Sequence, residues 1–477
     1  MTAQIMPVYL YLPLLASRYL MAKAEQCQNN QKYTLDPSDL NNARYLTLSF
    51  HPFSESAFAL RAKLQESIIV ASDKTKGRGR PPNDTAIANA ALLIVAEIID
   101  VAKGKIQRSV HHGLAAGKFT GKPISYRHFK AAMTGLEKLK LVRIRKGSYG
   151  HKSMFADAEN PGVPWGYNTR WHPTLNLIEL GKAFNITYKN IESHFQITLP
   201  DEPIILRESS KGDWQTRVKG RLVKFPETPN TKRLEDEVRE INEFLKDFKL
   251  TGATHRGYRR IFNQGDDLRI YKWDKGGRLY GSGDEDSYLI IKKAKRKAML
   301  IDGDRTVEID VRASYLTIFH AMHNITLDVQ NDPYEFPKIH RDIVKLWMVI
   351  AFGAGKPPMR WSTKAAQYFR DNINPSKAIG DVYNLRTLVT PTITAKFPVL
   401  NKLNKGGIDC FDLMNRESNA MVASMLRLLR SHKIPSYSVH DCLIVKKQDQ
   451  ELAKRVFGEE YFKATNAVPW LKITSTT

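Results

Sequence analysis

The sequence predicts a mixed α/β protein of several domains, and three observations carry that expectation. At 477 residues the chain is long enough for about three domains, and 42% apolar residues provide for a sizeable core. Helix-periodic segments alternate with short stretches of β-branched residues, the pattern of helices and strands sharing one chain. A polar segment rich in Gly and Pro, Lys74–Asn83, reads as a tether between folded parts.

Charge narrows the partners. Lys and Arg number 73 against 49 acidic residues, a formal charge of +24, which favours a polyanion and first of all nucleic acid. No basic amphipathic helix with a clean apolar face stands out, so no membrane partner is expected. Cys27, Cys410 and Cys442 are odd in number and lack C-x-x-C spacing, which indicates neither a disulfide framework nor a zinc site. A reducing cytoplasm fits them, with nucleoid association in a prokaryote. The apolar run Ile5–Ala16 holds two prolines, is too short to span a bilayer, and is expected to be a buried strand or helix rather than a signal peptide.

Taken in order, residues 1–73 form an N-terminal region and residues 74–83 a basic linker. The Arg78-Gly79-Arg80-Pro81 core of that linker resembles an AT-hook, in which glycine permits close approach and arginines meet the negative potential of a narrow minor groove. A plain basic tether is the other reading. Residues 84–160 start with apolar positions Ala88, Leu92, Val95 and Ile99 at near-helical spacing. Ser125 then caps a helix through Phe129, Met133 and Leu136, and Leu141–Gly147 reads as a strand entering a basic hairpin. Helix, helix, strand and wing resemble a winged helix, with Arg127, His128 and Lys130 set to meet DNA and Arg143, Arg145 and Lys146 to meet phosphates. An ordinary helical packing domain with a solvated basic face stands beside that reading. Residues 161–225 are a connecting region of mixed pattern, and residues 226–300 begin with a charged helix whose apolar stripe is Leu234, Val238, Ile241 and Leu245. That helix reads as a reduced thumb or as a strut.

The chemistry is concentrated in residues 301–477. Val307–Val311 and Tyr437–Val445 are strand-forming stretches, yet each holds an aspartate, Asp310 and Asp441, in an expensive place for a charge. Two such carboxylates brought together around Mg²⁺ are compensated by the ion and can carry out phosphoryl transfer.

Four blocks, in order, resemble the polymerase domain of family A DNA polymerases, the group that includes bacterial DNA polymerase I, over about 180 residues from Gly276 to Lys447. Gly276–Gly281 is similar to the family's Gly-Arg-Leu segment, which assigns Arg278 to the primer–template grip. Glu308–Leu316 looks like motif A, with Asp310 as metal ligand joined by the Val311 backbone. Five positions on, Tyr315 stands where the family usually has a glutamate, and its bulk implies selection of deoxynucleotides. Arg341–Gly353 resembles motif B: Arg341 and Lys345 share one helix face and suit a triphosphate, and Phe352 is placed to stack on the incoming base. Its interval from the lysine is one residue short of the family's. Ser438–Leu443 matches the Val-His-Asp of motif C, with Asp441 as second metal ligand and His440 supporting the primer end. Cys442 follows where DNA polymerase I has an acidic residue. Ahead of it, Leu413–Arg430 is an amphipathic helix through Met414, Glu417, Met421 and Met425, from which Asn415 or Arg416 would face the template.

The resemblance implies a right-hand polymerase with palm, fingers and reduced thumb, preceded by the winged-helix-like region. It would extend a primer from deoxynucleoside triphosphates on DNA by a two-ion mechanism, with Mg²⁺ as cofactor and Mn²⁺ as a substitute, and without a proofreading exonuclease. Replication of a plasmid, phage or other mobile element is the setting that analogy suggests. A primase or single-subunit RNA polymerase is the rival within enzymes, against which Tyr315 speaks; a non-catalytic DNA-binding initiator or regulator is the rival outside them.

Overall fold

The computed structural model describes residues 43–71, 83–103, 108–114, 119, 123–152, 163–197, 202–210, 220–281, 286–328, 331–403 and 407–475. The apolar run Ile5–Ala16 and most of the segment Lys74–Asn83, including Arg78 and Arg80, lie outside the described residues. The chain is mixed α/β and divides into two units, one up to residue 201 and the other from residue 202.

The first unit is organised by its most apolar helix. After β1 (Arg44–Tyr45), β2 (Phe50–Pro52) and α1 (Glu55–Ala71), α2 (Asp84–Ala102) is started by Asn83, whose side chain accepts the Ala86 N–H at 3.1 Å. It ends at Lys103 in the left-handed region. Long and apolar enough to cross a membrane, α2 is instead covered by its own unit, with 83% of its most apolar window buried. Even its buried Glu97 is satisfied, accepting from the Leu48 N–H at 2.8 Å and the Thr47 hydroxyl at 2.7 Å. There follow β3 (Val110–His111), α3 (Tyr126–Lys138), β4 (Val142–Arg145), β5 (Ser148–Lys152), β6 (Val163–Tyr167), β7 (Arg170–Pro173), α4 (Leu175–Ala183) and β8 (Phe195–Ile197). Ser125 caps α3 as the sequence predicts, and Phe129, Met133 and Leu136 are its buried face. One sheet has the order β1-β3-β7-β4, with β7 antiparallel to both neighbours in the group β3-β7-β4, while β5 and β6 form a hairpin between β4 and β7.

The second unit holds two sheets. The smaller contains β9 (Ile204–Arg207), β10 (Leu222–Val223), β12 (Tyr258–Phe262) and β13 (Gly276–Gly281) in the order β10-β9-β12-β13. Between them in sequence come α5 (Pro229–Leu245) and β11 (Leu250–Thr251). Thr228 and Pro229 start α5, and Leu234, Val238, Ile241 and Leu245 are buried, so the stripe read from the sequence is the packed face.

After α6 (Lys293–Arg296) the larger sheet, to which β11 already belongs, continues with β14 (Leu300–Ile301) and β15 (Asp304–Arg312). Helices follow before the next strand: α7 (Ser314–Met322), α8 (Arg341–Ala354), α9 (Thr363–Asn372) and the short α10 (Ile379–Val382). Then come α11 (Thr390–Lys396), α12 (Cys410–Arg427), β16 (Tyr437–Val439), β17 (Cys442–Lys446), α13 (Gln450–Thr465) and β18 (Trp470–Ser475). The sheet order is β11-β14-β15-β17-β16, with β18 on the other side of β15. One apolar core runs from the inner face of β15 (Val307, Ile309, Val311) to Trp347 of α8 and Met421 of α12. That core fixes the strand ends on which the charged groups stand.

Candidate active site

Strand β15 is central, and its register brings the two aspartates together. It pairs antiparallel with β17, setting Asp310 opposite Cys442, and with β18, setting Asp310 opposite Lys472. Asp441 is the second residue of the two-residue turn between β16 and β17, in which His440 takes a left-handed φ of 58°. Its carbonyl accepts the Val311 N–H at 3.2 Å, which ties the turn to the residue after Asp310. Burial, then the nearby Asp441, push the Asp310 carboxyl up to about 6, with Lys293 and Lys345 opposing the shift.

Tyr315 follows because β15 stops abruptly: Ala313 has a φ of 52° and α7 starts at Ser314. The half-buried Tyr315 ring lies under the Arg278 guanidinium, 5.5 Å from its centroid, and meets Phe352 edge-on at 6.0 Å. Arg278 is aimed by a β-bulge between β12 and β13, where Gly277 has a φ of 83° and a Cβ would come within 2.8 Å of Phe262. The side chain is held by Glu417 of α12, with Nε donating to Oε1 at 3.1 Å. Burial works against the Arg278 cation, but Glu417, Tyr315 and Asp441 more than offset it and hold the guanidinium protonated. Glu417 is 3% exposed, and burial pushes its carboxyl up against the pull of Arg278.

The facing wall is α8. Arg341, Lys345, Val349 and Phe352 recur at helical spacing on the face that lines the cleft. Arg341 is engaged by Asp332 at 2.7 Å and lies 5.7 Å from the Tyr334 ring centroid. Lys345 is exposed and makes no hydrogen bond or ion pair among the described residues. Phe352, expected to offer a stacking face, is 4% exposed because Tyr315 and Phe319 cover its ring; Val349, 64% exposed, is the accessible apolar residue of this wall.

These elements enclose a cleft of about 520 Å³. Among the residues singled out in the sequence, Asp310, Val311, Tyr315 and Asp441 line it together with Arg278, Arg341, Lys345 and Phe352. His440 and Arg416 do not: Arg416 is turned to the Ala464 carbonyl at 3.4 Å, and Asn415 is tied to the Gly276 carbonyl at 3.4 Å. Desolvation, with Arg278 and Arg296 adding to it, holds the His440 imidazole below its usual value. In the first unit, Arg127 and Lys130 on α3 and Arg143 and Arg145 on β4 are exposed.

Sequence reasoning missed Asp332 and Lys472 of the lining and gave Glu417 no role. Glu417 had a signal, being the one carboxylate in a stripe otherwise made of methionines. Lys472 had none, because only the pairing of β18 with β15 brings it beside Asp310.

The donor set suits a divalent cation. Burial and the neighbouring Asp441 raise the cost of ionising Asp310 in a half-buried cleft, and no ion pair to either carboxylate occurs among the described residues. Nor do these residues contain a group of three or more His, Cys, Asp or Glu arranged for a metal. Two carboxylates and the Val311 carbonyl are a donor set typical of Mg²⁺ that completes its shell with substrate phosphates and water.

No protein-family model matches the chain, and no curated protein matches it. Among solved structures, a neighbour is the POL domain of Pol1 from M. smegmatis in complex with DNA primer-template and dNTP, at 12% identity and a TM-score of 0.22. The likeness covers 89% of this chain and 66% of that one. So low a TM-score leaves fold family and function to the chain's own residues.

Proposed function

We propose that the cleft is the active site of a template-directed DNA polymerase, built as a palm bearing Asp310 and Asp441 and a fingers helix, α8. The observation that supports this reading is convergence: residues from four sequence blocks, separated by up to 163 positions between Arg278 and Asp441, line one cavity. Mg²⁺ held by Asp310, Asp441 and the Val311 carbonyl would supply a lowered pKa at the primer 3′-hydroxyl and charge stabilisation at the departing pyrophosphate. Lys345 presents an uncommitted ammonium to the triphosphate, and Lys293 and Lys472 bring further positive charge to the same cleft. Arg341 reaches the phosphates only by leaving Asp332, a gating step that couples nucleotide entry to movement of α8. Tyr315, clamped between Arg278 and Phe352, presents a rigid edge that excludes a ribose 2′-hydroxyl.

The first unit serves as a duplex-DNA module. Its support is a helix followed by a strand and a hairpin, with the strands in the order β3-β7-β4, an arrangement similar to part of a winged helix, and the exposure of Arg127 and Lys130 on the helix and of Arg143 and Arg145 on the adjoining strand. The AT-hook-like Arg78 and Arg80 would add a minor-groove contact.

The test is extension of a labelled DNA primer on a DNA template in Mg²⁺, with dNTPs and NTPs compared. Extension by dNTPs in strong preference is the expected result. Extension by NTPs alone moves the protein to the primase or RNA polymerase class, and no extension by folded, DNA-bound protein leaves a binding-only initiator.

A further inference from the structure

The turn that carries Asp441 hangs from an edge strand. β16 is the last strand of its sheet, so one side of it has no neighbour. Val439 and Cys442 close the two-residue turn as a hydrogen-bonded pair, and by the alternation of an antiparallel ladder the next pair, Ser438 with Leu443, points its N–H and C=O groups outward. Ser438 is nevertheless buried, where two unmade backbone bonds are costly.

Two tyrosines stand on that open side. The Ser438 N–H donates to Tyr258 Oη at 2.9 Å, and Tyr288 Oη donates to the Ser438 carbonyl at 3.1 Å. The two hydroxyls also bond to each other. Each phenol has one proton to give, and that of Tyr288 is committed to the carbonyl, so Tyr258 must donate to Tyr288. The bonds close a one-way ring: Ser438 N–H to Tyr258, Tyr258 to Tyr288, and Tyr288 to Ser438 C=O. Tyr258 is itself fixed at both backbone groups by Asn242 of α5, at 2.7 and 2.9 Å. Burial pushes its phenol up to about 12 and keeps it a donor at neutral pH. The cluster contains its own control. Tyr437 packs on Tyr288 with ring centroids 5.5 Å apart, but its buried hydroxyl has no hydrogen-bond partner among the described residues.

We propose that Tyr258 and Tyr288 are positioning residues: their hydroxyls replace the missing neighbour strand of β16 and hold the turn so that Asp441 stays set against Asp310 for a shared divalent cation. This rests on the polymerase reading of the cleft, although the two phenols touch neither substrate nor ion.

The test compares Tyr258→Phe, Tyr288→Phe, the double variant and Tyr437→Phe with the full-length wild type. Mn²⁺ binding is read by electron paramagnetic resonance, and primer extension is read across a Mg²⁺ titration. Each of the first two variants is expected to weaken Mn²⁺ affinity and raise the half-saturating Mg²⁺ by about tenfold, as outer-shell changes at metal sites do. KM for dNTP at saturating Mg²⁺ should stay as in the wild type. The double variant should resemble the singles, because either change opens the ring. Tyr437→Phe should shift nothing. Unchanged Mn²⁺ affinity in both single variants, or an equal shift in Tyr437→Phe, overturns the proposal. If the wild type extends no primer, the polymerase reading falls while Mn²⁺ binding still reports on the turn; a variant that fails to fold is replaced by its ring partner, which breaks the same loop from the other end.

Discussion

Two cavities of nearly equal volume, about 520 and 530 Å³, open within the second unit, and they treat charge in opposite ways. In the cleft between β15 and α8, Asp310 and Asp441 adjoin each other without an ion-pair partner among the described residues, and the Asp310 carboxyl is pushed up. In the other cavity, between α5, α12 and α13, each arginine has a carboxylate. Arg427 reaches Glu459 and Glu460 at 2.5 and 2.9 Å, Arg430 meets Glu240 at 2.6 Å, Arg233 is paired with Glu237, and the fully buried Arg260 faces the same Glu237 at 3.6 Å. There the hydrogen bond from Arg430 draws the Glu240 carboxyl down. Four arginines in a cavity look more like an anion site than two aspartates look like anything, yet the arginines are already spent on structure. Uncompensated charge, rather than the amount of charge, is the reason for proposing a ligand at the first cavity and not at the second.

The largest expected effect comes from the most buried ion pair of the cleft, in which Glu417 is 3% and Arg278 19% exposed. Glu417→Ala leaves the Arg278 guanidinium buried without its carboxylate and should cost about 3–5 kcal/mol in chemical unfolding. A loss below 1 kcal/mol would show that Arg278 escapes to solvent and that the pair does not clamp Tyr315.

Next comes a stabilising change. Because the folded Asp310 carboxyl sits near 6, above its unfolded value, its cost is fully present above pH 6 and disappears as pH falls towards about 4. Asp310→Asn should therefore stabilise the metal-free protein at pH 7 by about 1–2 kcal/mol after allowance for solvent screening, and should remove that part of the pH slope. The same substitution made in Mg²⁺ should lose the stabilisation the wild type gains from the ion. Thermal melts in chelator and in Mg²⁺ check both signs.

Lys345→Ala should raise KM for dNTP by about tenfold, the worth of roughly 1.4 kcal/mol. Arg341→Ala should do less, since Arg341 must first give up Asp332. Steady-state kinetics that reverse this order would break the account of α8. Smallest of all, Arg430→Gln in the second cavity should cost at most about 1 kcal/mol and leave extension unchanged, because the pair with Glu240 is half-exposed.

What could be read in the sequence was local. Asp310 and Asp441 stood out because a charge inside β-branched residues is costly wherever the strand lies, and the Leu234–Leu245 stripe of α5 repeats with the period of its helix. The missed parts depend on pairings across long separations. Glu417 finds Arg278 across 139 residues, and Tyr258 finds Ser438 across 180. The stretch 161–225 gave little pattern because its strands β6 to β10 are two to five residues long, too short for a clear period, and all but β10 take partners outside the stretch. Phe352 was misjudged for a related reason: helical phase gave its side of α8, but only packing against Tyr315 and Phe319 decided its exposure.

The central claim is that Asp310 and Asp441 form one catalytic centre. The measurement that tests it most directly is single-nucleotide incorporation on a DNA primer–template in Mg²⁺ by wild type, Asp310→Ala and Asp441→Ala, each shown to be folded and DNA-bound. The account predicts incorporation by the wild type and a loss of about 10³-fold or more in either variant. Incorporation that survives either substitution within tenfold would contradict it.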